Sequence, residues 1–203
     1  LAVKIYAVRV GNRYDERYEE YLKEKLPNIE FINDDQLVLQ WNKIRCFNID
    51  SDDPIVVIDI DIRLINDYMQ MFNYPIEQGE FLTLDPWWSD SKIQGGFYKF
   101  YPKDTKFIYE EFMSRQNYWR NYFIKNGTKP GPVNGEEDFV YLQVKDKLNI
   151  KYLPQTWYTR YTENKREFFE LHKKYPGKYL KIDKFNPDIK FIHHNSIGYP
   201  SIP

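Results

Sequence analysis

Two aspartates one residue apart, Asp59 and Asp61, close the apolar run Ile55-Val56-Val57-Ile58. Side chains alternate along extended backbone, so both carboxylates can face one side while Ile60 faces the other. Like charges so placed repel unless a cation sits near them, and carboxylates at the end of a core strand are costly to bury without one. Oxygen ligands suit a hard ion such as Mn²⁺ or Mg²⁺, which keeps positions free for phosphate oxygens. Two plainer readings stand beside this one: a loop with two solvated aspartates, or the N-terminal cap of a helix over 62–72.

The surrounding elements say where such a pair would sit. Residues 2–10 alternate and are rich in β-branched side chains, which predicts a strand. Residues 14–26 carry Tyr18, Tyr21, Leu22 and Lys25 at helical spacing and end at Pro27. "IEFI" (29–32) reads as a second strand, and Leu37, Trp41, Ile44 and Asn48, with Val38 beside them, predict a helix over 35–48. "IVVID" (55–59) lacks polar alternation, as a strand buried on both faces does. Strand, helix, strand, helix, strand builds a parallel α/β sheet whose ligands bind beyond the carboxyl ends of its strands. Both "VGNRY" after the first strand and "DID" after the third fall on that edge.

The second half is less regular. "GEFLTL" (79–84) and "GGFYKFY" (95–101) read as strands, 104–124 as one long helix, 126–135 as a loop and 136–148 as a helix. "WYTRY", a helix over 163–174 and a last strand "IKFIH" (189–193) follow. The expected architecture is a single α/β domain over 1–203, Rossmann-like and parallel at first, with a mixed central sheet.

Composition narrows the function classes. With 29 basic and 30 acidic residues the formal net charge is −1, which argues against a nucleic-acid binder. The single cysteine, Cys46, excludes an internal disulfide framework and a cysteine-based zinc cluster. A reducing, cytoplasmic setting is the default expectation. No stretch is apolar enough for a membrane span, and further domains beyond Pro203 have room to exist. Aromatic residues are abundant, 18 Tyr, 14 Phe and 5 Trp; flat amphipathic rings suit sugar faces and bases, although most belong to ordinary cores.

"W-N-K-I" (41–44), the apolar strand and Asp59-Ile60-Asp61 together resemble the nucleotide-sugar-binding half of GT-A-fold glycosyltransferases, whose D-x-D motif binds a divalent metal bridging the donor diphosphate. "IQGGFYKF" (93–100) resembles the small-residue strand against the donor sugar, which implies roles for Gly95 and Gly96. "NGEEDFVYL" (134–142) is similar to the acidic helix start near the reacting centre, which implies Glu136 and Asp138 as catalytic candidates. "IKFIHHNSIGYP" (189–200) resembles the terminal strand whose histidine completes the metal site in several retaining families. As a whole the chain is similar to a glycosyltransferase domain encoded by large chlorella viruses, which implies a host cytoplasmic location. The resemblance implies residues 1–67 as the nucleotide-binding half, 68–203 as the donor-sugar and acceptor half, a UDP-sugar donor with Mn²⁺ or Mg²⁺, and a glycan or glycoprotein acceptor.

Physical roles follow for the remaining candidates. Neighbours on a strand face opposite ways, so only one of His193 and His194 can meet the metal; His193 keeps the strand register and is favoured. Arg9, Arg13, Tyr14 and Lys43 suit a nucleotide, with Tyr14 stacking on the base and the cations reaching phosphate or ribose. Asn134 followed by Glu137 has the spacing of a capping box, which accounts for Glu137 without chemistry. Trp87 and Trp88, with Asp85 and Asp90, suggest an acceptor platform. Two rivals remain: an aspartyl-nucleophile phosphohydrolase, which also uses D-x-D after an apolar strand, and a non-catalytic carbohydrate-binding module.

Overall fold

The computed structural model describes residues 3–129, 131, 134–161, 165–176 and 186–194. The first parallel unit forms as the residue pattern predicts. Strand β1 (Lys4–Val8) leads to helix α1 (Glu16–Lys25), which starts where the Asp15 side chain accepts from the Arg17 amide. Strand β2 (Ile29–Ile32) pairs with β1 in parallel.

The helix expected over 35–48 is shorter and tighter. It is a 3-10 helix, Leu39–Asn48, because the Asn42 amide organises the preceding loop. Its oxygen accepts from the Gln36 and Leu37 amides, and its nitrogen donates to the Asp35 carboxylate and the Leu39 carbonyl. Those bonds, with Leu39 at φ 46°, replace the first turn that the apolar spacing suggested.

Strand β3 (Ile55–Ile58) returns beside β1, all four residues buried. Strand β4 (Ile62–Leu64) and a one-turn helix α2 (Met69–Phe72) follow, so the segment after Asp61 is not the helix one plainer reading offered. Next come β5 (Glu80–Leu84) and β6 (Gln94–Phe100). The long helix expected over 104–124 is two, α3 (Pro102–Ser114) and α4 (Gln116–Asn126). They break at Arg115, whose φ of −144° leaves the helical region. Helix α5 (Glu136–Val144), strand β7 (Asn149–Tyr152), which the sequence reading missed, strand β8 (Tyr158–Tyr161), helix α6 (Lys165–Lys174) and strand β9 (Phe191–His194) complete the chain.

Six strands form one mixed sheet in the order β2-β1-β3-β6-β5-β7, and β4, β9 and β8 form a second. Pairing is parallel among β2, β1 and β3, antiparallel on both sides of β6, and parallel again from β5 to β7. Alternation splits the core in two. Val56, Ile58 and Phe97 face α1 and the small sheet, while Val57, Tyr98 and Phe100 face the 3-10 helix, α3 and α5. Because β2 and β3 leave β1 on opposite sides, the loops after β1 and β3 diverge and open a crevice at their carboxyl ends.

Candidate functional site

Asp59, Ile60 and Asp61 are the crossing from the large sheet to the small one. The Asp59 amide still extends the large sheet's bonding, donating to the Gly96 carbonyl over 3.2 Å. Ile60 is 4% exposed in the core, and the two carboxylates turn to the opposite side, into the crevice. Register brings the rest of the cluster: β9 is antiparallel to β4 with His193 opposite Ile62, and β8 is parallel to β9 with Arg160 opposite His193. One ligand atom from each of Asp59, Asp61 and His193 lies within 4.8 Å of the others. His194's side chain lies outside the described residues.

The donor set fits a divalent cation. His193 Nε2 is 3.5 Å from Asp59 Oδ2, about half an ångström wider than the roughly 3.0 Å between two ligand atoms about 2.1 Å from one ion at right angles. His193 Nδ1 is buried with no hydrogen-bond partner, an unusual state for a buried nitrogen. The two aspartates differ electrostatically. Burial acts to raise the Asp59 pKa, but Lys43 and His193 outweigh it and hold the carboxyl well below the usual range. Burial wins at Asp61, aided by the charge on Asp59 and opposed by His193, and its pKa is raised. A bound cation would favour the charged form of both.

Lys43 forms the floor. Only 6% exposed, it pairs with Asp59, donates to the Gly95 carbonyl at 2.8 Å and stands 3.9 Å from Glu136 Oε2. Burial opposes its charge, yet Asp59 and Glu136 carry its pKa above that of an ordinary lysine. Glu136 is 3% exposed, with Oε1 buried and unpartnered. Burial pushes its pKa up to about 8 against Lys43, helped by Glu137, Asp59 and Asp138.

The acidic helix start is not a capping box. The cap position is Gly135, at φ 105° with no side-chain bond, and Glu137 instead accepts from the Gly95 amide at 2.7 Å. Asp138 uses both oxygens on Thr128, accepting from its amide at 2.8 Å and its hydroxyl at 2.6 Å, which ties the loop before α5 to the helix. The glycines are small because the protein's own side chains come through there. A Cβ on Gly95 would stand 3.0 Å from Lys43 Nζ and 3.1 Å from Glu137 Oε1, and one on Gly96 would stand 2.5 Å from Gln94 Oε1 and 3.1 Å from the Phe191 ring.

The crevice encloses about 420 Å³ and is lined by Arg13, Tyr14, Lys43, Asp59, Asp61 and His193, and also by Glu136, Glu137 and Asp138. Arg9 is not on its wall; it pairs with Glu19 on α1, which is 7% exposed. The Tyr14 hydroxyl donates to Asp61 Oδ2 at 2.7 Å, a bond that base stacking did not anticipate. The tryptophans are no exposed platform: Trp88 is 7% exposed and lies parallel to the His193 ring at 6.2 Å, with Trp87 edge-on to it and half-buried. Arg160 is the residue sequence reasoning missed, 5% exposed and on the crevice wall. A basic residue inside "WYTRY" was the available signal, but its partner strand could not be known.

No family model and no curated protein matches the sequence. Solved structures match the fold. The glycosyltransferase GlyE of Streptococcus pneumoniae TIGR4 superposes with a TM-score of 0.60 at 10% identity, over 95% of this chain and 48% of that one. This chain thus spans about half of GlyE's length. The galactosyltransferase LgtC, solved with donor and acceptor sugar analogues, gives 0.54 at 9% identity, over 96% of this chain and 87% of that one. Mouse xyloside xylosyltransferase 1 gives 0.54 at 10% identity, over 95% and 97%. This chain has the GT-A fold. The mixed α/β architecture expected from the sequence is the one found. Among the described residues no helix is long and apolar enough to cross a membrane.

Proposed function

We propose that the chain is a metal-dependent glycosyltransferase that moves a sugar from a nucleoside-diphosphate sugar, a UDP-sugar by family habit, to a hydroxyl of a glycan or glycoprotein, with retention at the anomeric carbon. The observation that carries the reading is the Asp59–Asp61–His193 cluster at the carboxyl edge of β3, in the crevice of a GT-A fold. Asp59, Asp61 and His193 would hold the ion, and Arg13 and Arg160 supply cations for the diphosphate. When bound, the divalent ion is a Lewis acid that neutralises charge developing on the leaving diphosphate.

The chain's own residues define the rest of the site. Lys43 favours the ionised form of Asp59, and Glu136, buried on the crevice wall with its Oε1 unpartnered, is available to hydrogen-bond the sugar. Asp138 has both oxygens engaged by Thr128, so it is poorly placed to act as a general base on the acceptor. That supports retention: the bond from the anomeric carbon to the diphosphate breaks, the bond to the acceptor oxygen forms on the same face, and the acceptor's proton passes to the leaving diphosphate. The phosphohydrolase rival fits less well. Here the motif closes the third strand of the chain and gains a histidine from a second sheet. The carbohydrate-binding rival loses its exposed tryptophans.

The test is thermal unfolding with UDP, GDP or ADP, each with and without Mn²⁺, for wild type and Asp61→Asn, followed by hydrolysis or transfer of the matching sugar nucleotide. A nucleotide at a hundredfold excess over Kd stabilises by about 2.7 kcal/mol, or roughly 5–11 °C for a chain of this size. A Mn²⁺-dependent rise with one nucleotide, lost in Asp61→Asn, is the expected result. No rise with any nucleotide refutes the reading.

A further inference from the structure

We propose that Tyr14 is a positioning residue for the metal site, its hydroxyl fixing the Asp61 carboxylate in the orientation that leaves the other oxygen free for the ion. The proposal rests on the metal-dependent reading above and adds a role for a residue expected only to stack on a base. The Tyr14 hydroxyl donates to Asp61 Oδ2 at 2.7 Å, joining the loop after β1 to the crossing after β3. Its ring is fixed as well. It packs edge-on against the Tyr18 ring, centroids 4.9 Å apart, and Tyr18 is 1% exposed in the core. The Arg13 guanidinium lies 5.1 Å from the Tyr14 ring centre, where a stacked base would have to compete with it.

The two aspartates are thus oriented by different chemistry. Lys43 holds Asp59 with a full positive charge, which also opposes an incoming cation. Tyr14 holds Asp61 with a neutral donor, which fixes one oxygen without adding repulsion. A carboxylate on a short side chain swings about its last bond, and freezing it before binding removes that ordering cost from the affinity. Outer hydrogen bonds to metal ligands are commonly worth about 10–100-fold in metal affinity.

Mn²⁺ titrations followed by the paramagnetic resonance of free Mn²⁺, with and without saturating UDP, test this in wild type, Tyr14→Phe, Asp61→Asn and the double variant. All are compared well below their melting transitions, so a modest stability loss does not enter. Tyr14→Phe keeps the ring and removes only the hydroxyl. It should weaken Mn²⁺ binding about tenfold or more, leave UDP binding in EDTA unchanged, and have no further effect once Asp61 is Asn. A wild-type Mn²⁺ affinity in Tyr14→Phe overturns the positioning role while the metal site stands. Unchanged Mn²⁺ affinity with weakened UDP binding in EDTA also overturns it, and assigns Tyr14 to the base. If wild type itself binds no Mn²⁺ with or without UDP, the metal-dependent reading falls and this proposal with it.

Discussion

Lys43→Met is the substitution whose consequences the structure defines most fully. The lysine is 6% exposed, ion-paired with Asp59, bonded to the Gly95 carbonyl and 3.9 Å from Glu136. Methionine matches its stem, so little packing is lost. What remains is an Asp59 carboxylate without its cation and a Gly95 carbonyl without its donor. Removing one partner of a fully buried pair costs about 3–5 kcal/mol. The Asp59 side chain keeps 23% of its exposure, so water recovers part of that, and about 2–4 kcal/mol is the appropriate range. For a chain of this size that lowers Tm by roughly 4–16 °C. Glu136 adds less than Asp59, because it stands 3.9 Å away and burial raises its pKa to about 8. Lys43→Met/Glu136→Gln should therefore be no more than about 1 kcal/mol from Lys43→Met alone. Urea unfolding at neutral pH without metal, read by circular dichroism, measures both. A loss under about 1 kcal/mol for Lys43→Met would mean that the pair offsets only its own desolvation, and the account of a charge-answering floor would be wrong.

Other expectations follow from single contacts. Gly135→Ala meets two obstacles, a φ of 105° and a new Cβ 2.4 Å from the Phe123 Cβ, and should destabilise by about 2–4 kcal/mol in the same urea assay; a neutral result would mean the cap relaxes freely. Lys99 is 5% exposed and donates to the Phe72 and Tyr74 carbonyls at 2.8 and 2.7 Å, so Lys99→Met strands two acceptors beside α2 and should cost about 2–4 kcal/mol without changing nucleotide binding. Glu136 gives a signed pH effect. Its pKa rises from 4.5 unfolded to about 8 folded, so between these values the unfolded chain releases a proton that the native state keeps, and stability falls as pH rises. Subtracting Glu136→Gln from wild type should isolate a downward slope of up to about 1.4 kcal/mol per pH unit across that window. A flat or rising difference would show that Glu136 is charged in the native protein.

The alternation of short apolar runs with helical spacing was enough to place β1, α1, β2 and β3, because these elements are set by local periodicity and by one decisive stop, Pro27. The apolar run of β3 stops at Asp59, so the carboxylate pair and its edge of the sheet are legible in the sequence. The helix that apolar spacing predicts over 35–48 forms only over Leu39–Asn48, because Asn42's amide, a side chain with no helical signature, outcompetes the first turn. The break at Arg115 left no Gly or Pro to mark it, and β7 exists through its pairing with β5. Asp59, Asp61 and His193 could be named as candidates from residue type and strand parity, but their convergence depends on the register of β9 against β4, which spans more than a hundred residues of chain. Arg160 entered the crevice through the next register along, β8 against β9. Arg9 shows the converse. Its charge and position after β1 suit a phosphate, and only the tertiary fold sets α1's Glu19 beside it as a partner. Residue types and local periodicity fix which chemistry is available and where strands begin, whereas long-range pairing decides which of those groups meet, since contact across a sheet is set by neighbours that no local window contains.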